Sequence, residues 1–196
     1  MKQPTVKKIL DFVRHGNYEP DECGGRLTTL GRKQVLRLAR RLIELNEWPI
    51  EWIHTSHVGR AVETAQIIAD QMGGLEVRKK PFLNEVPPTG LPGHVVPLRV
   101  RALGKQNLDT ILKRYFRVPR SMRHEVIVSH GGLIAGLVCK SLDVRLTAFR
   151  QMETYEASIT RFFVRSDGKP QLVTYNDTGH LPAPMITRGL RMARTK

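Results

Sequence analysis

The sequence predicts an α/β domain, a three-layer sandwich with a mostly parallel central sheet and helices on both faces. Short apolar runs typical of buried strands alternate along the chain with amphipathic helical patterns, and this alternation favours a parallel sheet covered by helices. The clearest strand-like runs also end in polar, chemically active residues. Open α/β sheets bind ligands at the carboxyl ends of their strands, so we expect a functional site there.

The chain has 196 residues, which fits one domain spanning residues 1–196. Its formal net charge of +14 favours an acidic partner: a phosphorylated substrate, nucleic acid or an anionic membrane. The two cysteines provide no disulfide framework and indicate a reducing compartment. The first residues lack the apolar core of a signal peptide, and no apolar run approaches the roughly 20 residues that span a bilayer. We therefore expect a cytoplasmic protein without a membrane span.

The first predicted strand is the apolar run 9–13, and it leads directly into Arg14, His15, Gly16 and Asn17. A cation, an imidazole and a glycine thus follow the carboxyl end of a buried strand. Glycine allows the backbone to turn tightly and to approach a ligand closely.

A helical pattern follows from residue 30 to residue 43, with Thr28 as a suitable N-cap. A second strand is predicted at 52–56, followed by a helix that ends near Gly73 and Gly74. Arg60 falls in the first turn of this helix. A cation is unfavourable beside the positive end of a helix dipole unless an anion is also bound there.

A third strand is predicted at 75–78, and Glu85 follows it at the mouth of a proline- and glycine-rich loop at 87–97. The segment from about 95 to 123 is predicted to be a basic helical insertion. From residue 99 to residue 123 it carries eight arginine or lysine residues and one acid, Asp109.

The clearest buried strand, 125–129, leads through His130, Gly131 and Gly132 into a helix at 133–142. A strand, a turn of small residues and a helix N-terminus together form a ready anion site. The runs 157–164 and 172–175 predict a hairpin around residues 166–168. A basic tail occupies about 183–196.

Five motifs occur in this order along the chain, at residues 13–16, 27–32, 55–64, 83–85 and 129–132. Their sequences are VRHG, LTTLGR, TSHVGRAVET, LNE and SHGG, and their combination resembles the histidine phosphatase superfamily, also called the phosphoglycerate-mutase-like family. Residues 14–18, 157–160 and 177–182 resemble its mitochondrial Ser/Thr protein phosphatase branch in particular. The chain begins almost at the catalytic domain, so that branch's N-terminal anchor and multimerisation motif are not expected to carry over.

The resemblance implies a catalytic set of five residues: His15, Arg14, Arg60, Glu85 and His130. By this resemblance His15 is the nucleophile that forms a phosphohistidine, and Glu85 is the proton donor and then the base for water. The two arginines suit bidentate binding of phosphate, and His130 would donate a further hydrogen bond as charge develops.

Asn17 and Gly131 are expected to bind substrate, with a turn-forming role as the alternative for both. We expect no cofactor and no metal, because the pair His54 and His57 lacks a second histidine pair or a carboxylate cluster.

The function expected from these features is a metal-independent phosphatase that hydrolyses phosphomonoesters, and the substrate could be a Ser/Thr phosphoprotein. The alternatives are phosphoryl transfer of the phosphoglycerate mutase type and a non-catalytic module that binds an acidic partner. The sequence contains no nucleic-acid-binding motif, so we expect no nucleic acid partner. It leaves the oligomeric state open.

Overall fold

A computed structural model describes residues 3–86 and 96–187. Within these ranges the chain forms eight strands and four α-helices. The strands are β1 Val6–Arg14, β2 Tyr18–Glu19, β3 Arg26–Leu27, β4 Trp52–Thr55, β5 Val77–Lys79, β6 Arg123–Ser129, β7 Ile159–Arg165 and β8 Pro170–Asp177. The helices are α1 Thr29–Glu44, α2 Gly59–Gln71, α3 Leu98–Tyr115 and α4 Gly131–Ser141.

Six strands form the central sheet in the order β5-β4-β6-β1-β7-β8. The pairs β5–β4, β4–β6 and β6–β1 are parallel, whereas β7 and β8 extend the sheet as an antiparallel hairpin. The mostly parallel sheet predicted from the sequence is therefore confirmed. Strands β2 and β3, a short hairpin between β1 and α1, were not predicted because two residues are too few for a periodic pattern.

The sheet is buried on both faces, and each face has its own hydrophobic core. Helices α1 and α2 pack on one face against Val13, Val126 and Val128, whereas α3 and α4 pack on the other against Phe12 and Ile127. Successive side chains of a strand point to opposite faces. The mostly apolar run in β1 is thus explained by burial on both sides.

One acidic side chain lies inside this apolar sheet. Asp11 is fully buried in β1 and accepts hydrogen bonds at 2.7 and 2.8 Å from Arg161 on β7 and at 2.8 Å from His124 on β6. Burial alone would raise the pKa of this carboxyl, yet hydrogen bonds from Arg161 and His124 hold it below its usual value. Asp11 therefore joins three neighbouring strands.

Several local predictions are confirmed. Thr28 caps α1 by accepting a hydrogen bond from the Gly31 N–H at 3.0 Å. Gly73 and Gly74 end α2 with φ angles of 78° and 83°, and the hairpin turns at Gly168 with φ 80°. The third strand was predicted at 75–78, and the observed β5 is one residue shorter and displaced towards the carboxyl terminus, at Val77–Lys79.

Helix α3 lies within the predicted basic insertion. Leu98, the first residue of this helix, is 76% exposed. The buried stripe consists of Gly104, Asn107, Leu108, Ile111 and Tyr115, which have helical spacing, and Leu98 lies beyond it at the first turn. The predicted 87–97 loop and 183–196 tail lie mostly outside the described residues, since 87–95 and 188–196 are not among them.

No helix in the described part of the chain is both long and apolar enough to cross a bilayer.

Candidate active site

The carboxyl ends of β1, β4 and β6 meet at one edge of the sheet, where β6 lies between the other two. His15 follows β1, Ser56 follows β4 and His130 follows β6. Backbone N–H groups continue the ladder beyond the strands: His15 donates to Ser129 O at 3.1 Å and Ser56 donates to Val128 O at 3.2 Å. The two imidazole rings lie 5.2 Å apart between centroids.

His15 is 2% exposed, and both of its ring nitrogens have defined partners. Nδ1 lies 2.9 Å from the Gly16 carbonyl oxygen, which can only accept, so Nδ1 carries the proton. Nε2 then presents a lone pair, which accepts from Arg60 Nε at 2.9 Å. Burial lowers the pKa of His15 well below 6.5, and electrostatic interactions with His130, Arg14 and Arg60 lower it further. The imidazole is therefore neutral, with Nε2 as its nucleophilic atom.

Arg60 lies in the first turn of α2, where no acidic residue accompanies it. Its guanidinium donates to four acceptors: His15 Nε2, the Gly24 carbonyl, Glu85 Oε2 at 3.3 Å and His130 Nδ1 at 3.1 Å. The side chain also lies over the Tyr18 ring, 4.5 Å from its centroid. Arg60, whose position in the first turn of a helix is unfavourable by itself, thus contacts three of the other predicted catalytic residues: His15, Glu85 and His130.

His130 is fully buried. Its Nδ1 accepts from Arg60, so Nε2–H donates to Ser56 Oγ at 2.9 Å. Burial, followed by the charges of Arg60 and Arg14, lowers its pKa to about 3. The expected donation from His130 to phosphate stays a prediction, and it requires a proton on Nδ1.

Arg14 leaves β1 next to the first residue of α4. Its Nη1 donates to the Thr154 carbonyl, and its Nη2 lies 3.8 Å from Glu156 Oε1. Its Nε is buried and has no hydrogen-bond partner among the described residues. A Cβ on Gly131 would lie 3.4 Å from this Nε. The absence of a side chain at Gly131 therefore allows Arg14 to lie close to the N-terminus of α4.

Asn17 has both functional groups of its side chain engaged. Its Nδ2 donates to Glu156 Oε2 at 2.8 Å, its Oδ1 accepts from Thr28 Oγ1 at 2.7 Å, and its backbone N–H donates to Gln34 Oε1 at 2.8 Å. These bonds support the turn-forming alternative. A contact between Asn17 and phosphate stays a prediction.

Glu85 is the most accessible member of the predicted set, with its side chain 44% exposed. Its Oε2 lies 3.3 Å from Arg60 Nη2 and 3.8 Å from His130 Nδ1. The carboxylate is therefore within reach of both the buried group and solvent, as a residue that exchanges protons requires.

Thr64 and Glu156 hold these side chains in place, and neither was predicted as a site residue from the sequence. Thr64 accepts from Gly16 N–H at 3.2 Å and donates to the Arg60 carbonyl at 2.8 Å. Glu156 joins Asn17 to Arg14. Thr64 was inside a quoted motif, but Glu156 precedes the matched run at 157–160 and carried no signal of its own.

The described residues contain no group of three or more histidine, cysteine or acidic side chains arranged to hold a metal ion. His54 is buried against Tyr115, whereas His57 is exposed and its backbone N–H donates to Asn84. The absence of a catalytic metal stays a prediction.

Curated relatives share about three residues in ten with this chain. The mitochondrial serine/threonine-protein phosphatase Pgam5 of Drosophila grimshawi is 30% identical over 200 residues, which cover 94% of this chain and 68% of the relative. The Caenorhabditis elegans protein of that name is 28% identical over 195 residues, covering 95% and 68%. The Mus musculus protein is 27% identical over 188 residues, covering 90% and 65%. The chain thus spans about two thirds of the length of these relatives.

Solved structures have the same fold. A phosphoserine phosphatase variant from Entamoeba histolytica, in complex with phosphoserine, superposes with a TM-score of 0.71 at 23% identity, covering 89% of this chain and all of that one. A phosphoglycerate mutase from Plasmodium falciparum superposes with a TM-score of 0.66 at 24% identity, covering 91% and 96%. The phosphoglycerate-mutase-like α/β fold is thereby confirmed.

The expected cytoplasmic location is wrong by comparison with these relatives, which are named mitochondrial proteins. The expectation depended on unpaired cysteines and on the lack of a signal peptide. Those features indicate reducing surroundings, but they do not distinguish one reducing compartment from another.

The family itself is shown by a match over most of the chain. A model of the histidine phosphatase superfamily (branch 1) matches residues 10–94 and 106–178, and the gap between them falls at the start of the basic insertion. Together with the phosphatase names of the relatives, the match confirms the expectation of a phosphatase enzyme. This chain belongs to the histidine phosphatase superfamily.

Proposed function

We propose that residues 1–196 form one catalytic domain that hydrolyses phosphomonoesters, without a metal ion, through a phosphohistidine at His15. The proposal depends on the tautomer of His15 and on the contact between its Nε2 and Arg60. Its Nδ1–H is committed to Gly16 O, and its Nε2 lone pair lies 2.9 Å from the Arg60 guanidinium. A nitrogen that is neutral, buried and next to fixed positive charge suits attack on a phosphate dianion.

In the first step, the Nε2 lone pair forms a bond to phosphorus while the bond from phosphorus to the ester oxygen breaks. Arg60 and Arg14 are the donors available to the equatorial oxygens of the phosphoryl group. Arg60 Nε lies next to His15 Nε2, and Arg14 Nε has no partner among the described residues. The leaving oxygen takes a proton from Glu85, the half-exposed acid beside Arg60.

In the second step, Glu85 accepts a proton from a water molecule whose oxygen attacks the phosphorus. The bond between phosphorus and Nε2 breaks, and the electron pair returns to His15. The products are inorganic phosphate, the free imidazole and a protonated Glu85, which is the state required for the next cycle.

The proposed substrate is a phosphoserine or phosphothreonine side chain of a protein, as the names of the relatives indicate for those proteins. A protein substrate also fits the exposed carboxylate of Glu85 at the mouth of the site. Phosphoryl transfer of the mutase type would use the same contacts, and the phosphatase names of the relatives favour hydrolysis. The relatives' names make mitochondria the compartment to test.

The test is hydrolysis of a simple aryl phosphate in excess EDTA, with His15→Ala as the comparison and Arg37→Ala, an exposed helix position, as the control. We expect activity in the parent and the control and none in His15→Ala. Activity lost to EDTA, or kept by His15→Ala, would contradict the proposal. Phosphoserine and phosphothreonine peptides are then compared with a phosphotyrosine peptide, and a preference for phosphotyrosine would contradict the substrate class.

A further inference from the structure

A cavity of about 400 Å³ lies beside β4 and β5, against the C-terminal half of α3. A second cavity of about 340 Å³ adjoins it, and the two share Arg114, Arg117 and Glu125. We call the two together the cationic pocket. Small-molecule sites typically have volumes of roughly 300–1,000 Å³, so the cationic pocket is large enough for a compact ligand.

The lining is dominated by positive charge. Eight lysine and arginine side chains line the two cavities: Lys8, Arg78, Lys80, Lys113, Arg114, Arg117, Arg120 and Arg123. The lining carboxylate, Glu125, is buried and already paired with Lys8 at 2.9 Å. Arg78 pairs with Glu76 and Arg123 with Glu51. Within the described residues, the other five cations have no carboxylate at ion-pair distance.

Aromatic rings hold three of these guanidinium groups in place. The guanidinium carbons of Arg78 and Arg123 lie 5.0 and 4.7 Å from the centroid of Trp52. They come from β5 and β6, the two strands that flank Trp52 on β4. Arg114 lies 5.3 Å from the centroid of Phe82. Such contacts orient a guanidinium group and leave N–H donors for a ligand.

The electric field of these cations reaches His54, a buried residue of β4. Burial, followed by the charges of Lys80, Arg78 and Lys8, lowers the pKa of His54 to about 4. Concentrated like charge destabilises a fold unless counter-charge binds. An anion bound in the cationic pocket would therefore stabilise the fold.

The cationic pocket is separate from the group of five predicted catalytic residues, Arg14, His15, Arg60, Glu85 and His130. None of its lining residues belongs to that group. Lys8 and Arg123 lie six residues before Arg14 and Ser129, which end the same strands. At about 3.3 Å per residue, this corresponds to about 20 Å along the sheet. Substrate phosphate bound at His15 therefore lies about 20 Å along the sheet from the end of the cationic pocket that holds Lys8 and Arg123.

We propose that the cationic pocket is a second anion site that binds a compact polyanion carrying at least two phosphate groups. One phosphate could neutralise only part of the five unpaired cations, which are spread over both cavities. A nucleic acid is disfavoured, because arginine side chains already lie against Trp52 and Phe82 where bases would stack. Free polyphosphate and the headgroup of a polyphosphorylated lipid share the required chemistry.

The test uses Trp52 as its reporter. The chain has two tryptophans, so Trp48→Phe leaves Trp52 alone. We titrate this variant with inorganic tripolyphosphate at constant ionic strength and compare the response with sulfate. We expect a saturable change in Trp52 fluorescence and an affinity at least tenfold higher for tripolyphosphate.

Two double variants remove the same charge at different places. Arg114→Ala with Arg117→Ala should weaken tripolyphosphate binding more than tenfold. Arg37→Ala with Arg40→Ala, both exposed on α1, should leave it unchanged. Circular dichroism checks that both variants fold. The same titration in the His15→Ala background should be unchanged, which separates this site from the catalytic one, and the readout does not depend on activity.

Equal losses in the two double variants, or equal affinity for sulfate, would overturn the proposal, because diffuse charge would explain both. Absence of a saturable response would also overturn it. Vesicles of phosphatidylcholine with and without a phosphatidylinositol bisphosphate separate the sources. Tighter binding to the phosphorylated vesicles than to tripolyphosphate identifies a lipid headgroup, and the reverse identifies a soluble polyphosphate. A single-stranded oligonucleotide that binds more tightly than either would contradict the compact ligand.

Discussion

The Nε of Arg60 lies 2.9 Å from the Nε2 of His15. This contact joins a residue from the first turn of α2 to one that follows β1, and it brings a fixed positive charge to the proposed nucleophile. A guanidinium group can donate to His15 and to phosphate oxygens in two directions, whereas an ammonium group acts as a point charge.

Arg60→Lys should therefore lower kcat/KM for an aryl phosphate by about 100- to 1,000-fold, the effect of removing a preorganised donor. Steady-state kinetics measure the effect, and Arg37→Lys on the exposed face of α1 is the matched control. A loss below tenfold would mean that Arg60 does not bind the transferring group.

Glu85→Gln tests the proton donor. We expect kcat to fall by about 100-fold or more for phosphoserine, whose alkoxide is a poor leaving group and needs a proton. For an aryl phosphate with a good leaving group, the first step should be little affected. Burst kinetics with the aryl phosphate should then reveal a slow second step, because water has lost its base. Equal rates in parent and variant on phosphoserine would assign the proton to another residue.

Thr64 is predicted to position His15 through Gly16. Thr64→Val keeps the shape of the side chain but removes the acceptor of the Gly16 N–H, which should cost about 1–3 kcal/mol of unfolding free energy. Because the Gly16 carbonyl fixes the His15 tautomer, kcat should also fall while KM changes little, and Thr64→Ser should restore both. Restored stability without restored kcat would leave Thr64 with a structural role only.

The pH dependence of stability follows from three buried histidines. The pKa of His15 lies well below 6.5, that of His54 at about 4 and that of His130 at about 3. Below pH 6.5 the unfolded chain therefore binds protons that the folded chain does not, and the free energy of unfolding falls as the pH drops from 6.5 towards 4. Each histidine contributes a slope of up to about 1.4 kcal/mol per pH unit.

Urea unfolding of His54→Leu at several pH values in this window isolates one of the three. The slope of the variant should be smaller than that of the parent by close to one histidine's contribution, about 1.4 kcal/mol per pH unit. An unchanged slope in His54→Leu would mean that His54 is protonated in the folded chain.

The order of strands and helices, and the strand ends that meet at the site, were predictable because they depend on local patterns. Runs 9–13 and 125–129 place apolar residues on both faces of their strands, and such runs indicate a covered parallel sheet. Arg60 was detectable from the sequence because a cation in the first turn of a helix is locally unfavourable.

The supporting contacts were not predictable, since they join residues far apart in the sequence. Thr64 and Gly16 are separated by 48 positions, and Glu156 and Asn17 by 139. No local pattern encodes such pairs. The cationic pocket was missed for the same reason: its cations were visible as a basic insertion, but Arg78, Arg123 and Trp52 meet only when β5, β4 and β6 pair.

The central claim is a covalent phosphoryl group on His15, and rapid chemical quench tests it most directly. The enzyme is mixed with a radiolabelled phosphomonoester, and the reaction is quenched in alkali within one turnover. Mass spectrometry then identifies the residue that carries the label. We expect label on His15, linked through nitrogen and therefore stable in alkali and lost in acid. Label on another residue, or rapid turnover without any labelled enzyme, would contradict it.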